Sequence, residues 1–156
     1  MKTLKMALFA LMATFGMNAA AQTQSENKKI VNAGFERWAN GKGSFFDLLT
    51  DDVVWTINGS APLSKTYRGK KQFLDEVINP LNERLSQKIV PSVRALYAEK
   101  DMVIALIDGK ATATDGRPYN MSYAWFMQMK NGKIIKVDAF LDAIQFADVM
   151  QRVSGK

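Results

Sequence analysis

The chain has no histidine and no cysteine. Proton transfer here would therefore fall to carboxylates and phenols. Two of its 15 acids, Asp138 and Asp142, stand close together in GKIIKVDAFLDAIQ. Strand residues alternate between faces. One parity of this stretch is Ile135, Val137, Ala139 and Leu141; the other is Ile134, Lys136, Asp138 and Phe140. The first set is wholly apolar and should face the core, which turns Asp138 to solvent. Asp142 opens Asp-x-x-Gln ahead of a helical run in which Ile144, Ala147 and Met150 recur. There its carboxylate would accept from first-turn N–H groups while Gln145 reaches back, a capping box contributing about 1 kcal/mol. If Asp142 is instead buried, its raised pKa would suit a general base. Asp108 is a second candidate should Gly109 form a bulge that turns it inward. Tyr67, Tyr119 and Tyr123 supply hydroxyls, and Tyr123 is the candidate donor. The acids lack metal-ligand spacing and there is no Gly-rich phosphate loop, so neither metal nor cofactor is expected.

These residues must be positioned by elements legible along the chain. A first helix carries Ile30, Gly34, Phe35 and Trp38 on one face, with Ser25 as N-cap and Asn40-Gly41 as stop. SFFDLLTDD reads as a short helix, capped by Ser44 with Asp47 completing the box. VVWTI, residues 53–57, is a β-branched and aromatic strand, and NGSAPLSKTYRG a loop. KKQFLDEVI reads as a helix interrupted by Pro80, with Asn79 capping a second segment. The rest reads as an antiparallel meander. Its strands run over 89–98, with Pro91 marking an edge or a bulge; over 102–114, bent at Gly109; over 118–129; and from 133. Asp115-Gly116 and Asn131-Gly132 are turn signals. In 118–129, Met121, Tyr123, Trp125, Met127 and Met129 form the bulky inward parity. Helices packed on a strongly curved sheet make an α+β cone.

The apolar fraction of 47% and charged fraction of 23% are ordinary for a globular domain. Two lysines in MKTLK, the apolar run over 6–17 and Ala19-x-Ala21 have the order of a secretory signal peptide. The run falls short of the roughly 20 apolar residues that span a bilayer. The expectation is export to the periplasm or beyond, with residues 1–21 as signal and 22–156 as one domain, and no membrane insertion after cleavage. The net charge of +6 comes from scattered basic residues. That argues against a nucleic-acid footprint. Asn58-Gly-Ser is formally a glycosylation acceptor, too short a pattern to carry weight.

DDVVWTINGSAPLSKTYRGKKQFLDEV and DGRPYNMSYAWFMQMKNGKIIKVDAFLDA resemble the SnoaL-like proteins of the nuclear transport factor 2-like superfamily. TYRG before a helix and the NGKI…FLD ending are the most diagnostic pieces. The resemblance implies a cone-shaped roll, with a strongly curved antiparallel sheet wrapped around N-terminal helices, and homodimers formed through the sheet. Its enzymes compare poorly residue by residue. Where ketosteroid isomerases have a general base this chain has Ile57, and their second acid falls near Trp125. Their helical tyrosine falls near Phe35. The arginine and first aspartate of limonene epoxide hydrolases fall near Ile107 and Gly109, and their second aspartate on Ala139. SnoaL-type cyclases use a histidine–aspartate pair, and histidine is absent.

Three readings follow. The first is an exported module that binds a small hydrophobic molecule, without catalysis, in a pocket made by Phe35, Trp38, Trp55, Ile57, Tyr67, Phe73, Ile107, Met121, Tyr123, Trp125 and Ala139. The second is a cofactor-free isomerase or hydrolase acting on a cyclic, steroid-like or polyketide substrate through Asp142 or Asp108 with a tyrosine donor. The third is a dimeric interaction domain using the outer sheet face, where Phe126 stands among small and polar residues.

Overall fold

The structure is a computed structural model that describes residues 23–155. The signal segment expected over 1–21 lies outside the described residues. Helix α1 covers residues 23–39. It buries Val31 and Phe35 and packs Ile30 and Trp38 against the same core. Ser25 is exposed inside this helix and does not cap it; a serine hydroxyl satisfied by water lets a helix run on. The helix ends as expected, with Asn40 N–H donating to Glu36 O at 3.1 Å and Gly41 at φ +65°. A 3₁₀ turn follows at Phe45–Leu48. Ser44 Oγ accepts from Phe46 N–H at 3.1 Å and Asp47 Oδ2 accepts from Ser44 N–H at 3.3 Å, closing the capping box.

Strand β1, Leu49–Ile57, starts earlier than its β-branched run suggests. A register shift between Leu49 and Val54 absorbs Asp51 and Asp52, which remain exposed. Part of the expected loop pairs with β1 as a short strand, β2, Thr66–Arg68. The next helical segment is continuous: α2 (Lys70–Phe73), a π turn (Leu74–Ile78) and α3 (Asn79–Glu83). Pro80 therefore widens the helix and does not break it. It has no N–H to give, and its ring crowds the carbonyl four residues back; one wide turn, with Asn79 N–H bonded to Leu74 O, relieves both.

Strands β3 (Leu85–Glu99), β4 (Met102–Ala113), β5 (Pro118–Lys130) and β6 (Lys133–Leu141) form the meander. The sheet has six strands in the order β2-β1-β6-β5-β4-β3, curved and unclosed, with every neighbouring pair antiparallel except β1 with β6. Pro91 lies on β3, the edge strand, where a missing N–H costs least. Asn131 (φ +52°) and Gly132 (φ +73°) make the tight β5–β6 turn. Asp115-Gly116 belongs to a wider loop, in which Asp115 Oδ1 accepts from Arg117 N–H at 3.1 Å.

The inward parity of β5 is as the alternation predicts: Met121, Trp125, Met127 and Met129 are buried. On β6 it holds for Val137 and Ala139, but Ile134 replaces Ile135 inside, because a register shift beside Gln128 and Met129 turns the strand by one residue. Helix α4, Ala143–Arg152, buries Phe146 and Val149, while Ile144 is 83% exposed. Of the expected face, Met150 packs against the core but Ile144 does not, so the buried side is displaced toward Phe146 and Val149. No described helix is long and apolar enough to cross a membrane.

Candidate functional site

The concave side of the sheet encloses a cavity of about 720 Å³. Its interior is largely aromatic, and the order of the elements explains why. Helix α1 brings Trp38, the α1–β1 connection brings Phe46, β1 brings Trp55 and Ile57, α2 brings Phe73, and β5 brings Trp125. Trp55 stacks on Phe73 with centroids 4.2 Å apart, and Phe46 meets Phe73 edge-on at 5.7 Å. Trp38 and Trp125 lie nearly parallel, 8° apart in plane, at 6.4 Å. The helical residues Val77, Ile78 and Leu81, with Ile89, Leu141 and Phe146, complete the apolar wall.

Two hydroxyls interrupt this wall. Tyr119 and Tyr123 share a face of β5 on either side of Met121, line the cavity, and lie close enough for each phenol to influence the other's ionisation. Gly109 lets them meet. It lies between Pro91 and Met121 in the sheet, and a Cβ there would stand 2.9 Å from Ile89 Cγ2 and 3.1 Å from Tyr123 Cε2. The Tyr123 ring thus leans over backbone that only glycine leaves free. Burial, first of all, pushes both phenols well above their ordinary pKa; the neighbouring Tyr119 hydroxyl partly offsets this for Tyr123. Both stay protonated at neutral pH, and the pair presents a donor to the cavity.

None of the candidate carboxylates lines the cavity, although the charge of Asp142 reaches Tyr119. Gly109 makes no bulge toward β5, where the register runs unbroken through Asp108↔Ser122. Asp108 consequently lies on the outer face, accepting from Ser122 Oγ at 2.7 Å and paired with Arg94 at 3.7 Å. Asp138 also faces out, paired with Lys136 at 3.2 Å. Asp142 is an exposed N-cap whose Oδ1 accepts from Ile144 N–H at 3.0 Å and Gln145 N–H at 3.1 Å. Among the described residues, Asp47 is the one carboxylate on the cavity wall, exposed at its rim with Lys70 and Lys88.

Of the residues singled out from sequence, Trp38, Trp55, Ile57, Phe73, Tyr123, Trp125 and Ala139 line the cavity. Phe35, Ile107 and Met121 are packed in the core behind it. Tyr67 is fully buried, and its hydroxyl donates to Leu63 O at 2.8 Å. Its pKa is pushed up to about 12, mainly by burial and then by the Glu76 charge. Phe46, Tyr119, Ile89, Phe146 and the helical residues of the wall were missed. Extending the Met121–Tyr123 parity two residues back would have reached Tyr119. No group of three or more metal-ligating side chains occurs among the described residues.

A curved α+β roll with a concave apolar pocket defines a nuclear transport factor 2-like protein. The SnoaL-like domain profile matches residues 31–137, and the chain belongs to that family. No curated protein matches. Among solved structures, Bal32a from a soil-derived mobile gene cassette is 14% identical with a TM-score of 0.69, covering 83% of this chain and 99% of its own. A nuclear transport factor 2-like protein from Burkholderia thailandensis is 21% identical with a TM-score of 0.66, covering 80% and 97%. TerC, co-crystallised with polyporic acid, is 16% identical with a TM-score of 0.63, covering 81% and 98%. At these identities the likeness concerns the fold.

Proposed function

We propose that the protein is an exported carrier or sensor that binds a small, flat hydrophobic molecule in the cavity, without acid–base catalysis on it. The observation that carries this reading is the wall itself. Stacked aromatic rings offer area, the Tyr119–Tyr123 pair offers one oriented donor, and the candidate acids are spent on caps and outer ion pairs. Apolar enclosure with a few placed polar groups is the general form of a small-molecule site. The crystallisation of TerC with polyporic acid supports a ring-bearing ligand. The test is titration with a polycyclic aromatic probe, read by tryptophan quenching. The expected result is saturable binding that Ala139→Phe, which fills the cavity, weakens at least about tenfold while the protein stays folded. Binding indifferent to that substitution would refute the reading. Export is part of the proposal: the mature protein from its host should begin at Gln22, and an intact residue 1 would remove that part.

The second part is a homodimer through the outer sheet face. Tyr97, Ile104 and Phe126 form one cross-strand row there, and Leu106, Ala124 and Phe140 the next. Tyr97 and Phe140 are 58% and 49% exposed, and Phe126 meets Phe140 edge-on at 5.9 Å. Such a contiguous apolar patch favours a covered surface.

A further inference from the structure

We propose that the cavity takes its ligand as an anion: a flat ring system whose carboxylate, or an equivalent acidic group, is held at the rim by Lys70 Nζ. This rests on the cavity being a ligand site, and adds the charge of what enters it. The neighbouring lysines have carboxylates of their own: Lys65 Nζ lies 2.6 Å from Glu76, and Lys71 pairs with Asp75. Lys70 stands between them in sequence, half-buried in the cavity wall, with no carboxylate in ion-pair reach among the described residues. A lysine stem lies comfortably on apolar surface, but its ammonium still needs water or a counter-ion. Across the rim, Lys88 Nζ bonds only carbonyl oxygens, those of Asn82 and Leu85, so it adds positive charge without an anion. The carboxylate of Asp47 offsets only part of this charge. It is exposed and engaged with Ser44 N–H at 3.3 Å, and Lys133 Nζ is brought beside that turn by its 2.9 Å bond to Asp47 O. The rim is thus left with positive charge facing an aromatic interior. Charges at the edge of such a cavity act through a lower effective dielectric than in open water. A ligand gripped at both ends follows: a carbonyl or hydroxyl oxygen on Tyr123, rings along Trp55 and Trp125, and an acidic group at Lys70.

The experiment compares 9-anthracenecarboxylic acid with its neutral carboxamide, titrated into wild type and Lys70→Gln, Lys70→Arg and Lys71→Gln variants at low and at physiological salt. In wild type the acid should bind about tenfold more tightly than the amide, the size expected of one charge-assisted contact. Lys70→Gln should abolish the preference by weakening the acid far more than the amide; Lys70→Arg should keep most of it; Lys71→Gln should leave the preference intact. Equal binding of acid and amide to wild type, or a preference lost equally in Lys71→Gln, overturns the proposal while leaving the cavity a ligand site. Failure of both probes to bind overturns it together with the reading beneath it.

Discussion

At the scale of single residues, the fate of each polar group follows from its nearest unsatisfied partner. Asp142 precedes a helix whose first N–H groups have no other acceptor, so it is held as a cap. Asp-x-x-Gln made that legible from sequence. The phenol pair was legible only by carrying the β5 alternation back from Tyr123 through Met121 to Tyr119. Their protonation has a measurable consequence. Unfolded, a tyrosine loses its proton near its ordinary value of 10.0; folded, Tyr67 keeps its proton to about 12, and burial holds Tyr119 and Tyr123 higher still. A folded pKa above the unfolded one contributes stability that is complete below pH 10 and is lost as pH rises through the folded value. The urea midpoint should therefore hold steady up to about pH 9.5 and fall above pH 10, with each such phenol adding about 1.4 kcal/mol per pH unit to the slope. Tyr119→Phe should flatten the decline. A midpoint independent of pH up to 12 would show that these phenols are not protonated by the fold.

Among the elements, the strands were easier to read than the helices, for a physical reason. Alternation on β5 is enforced by burial on one side, so a single run of bulky residues fixed which side faces in. Helix α4 is short and carries apolar residues on more than one side, and its buried face passed through Phe146 and Val149 instead of Ile144. The π turn before Pro80 could not be read from a rule that treats proline as a stop. Gly109 shows the same limit in a strand. Its sequence suggested a bend, whereas the structure uses it for close approach of the Tyr123 ring. Gly109→Ala should cost about 1–3 kcal/mol through overpacking. It should also weaken probe binding, because Tyr123 must leave Tyr119 to make room. Gly116→Ala is the control: φ is +85° there with open space around the site, so it should strain the loop without touching affinity. Urea unfolding and probe titration on both variants separate stability from site geometry. Equal effects on affinity would remove Gly109 from the positioning of the site.

For the molecule as a whole, the two faces of one sheet divide the work. The inner face is closed over by α1, the 70–83 helical segment and α4, while no described helix covers the outer face. That outer face is not uniformly polar. Its two apolar rows are bordered by Arg94–Asp108 at one end and Lys136–Asp138 at the other. Each border carries both signs of charge, so a second copy can approach without a belt of like charge repelling it. An isologous pairing of this patch would bury Phe126 and Phe140 against their counterparts and leave both cavities open on the far sides. Phe140→Lys tests this, since it inserts a charge into the patch beside Phe126 without entering the core, Phe140 being 49% exposed. Sedimentation of the wild type at micromolar concentration should report a dimer. The variant should dissociate with a loss of at least about 2 kcal/mol, near thirtyfold in Kd. Its monomer should still bind the aromatic probe, because no residue of either apolar row lines the cavity wall. A wild type that sediments only as monomer would remove the dimer, and a monomeric variant unable to bind would mean that the sheet needs its partner to keep its curvature.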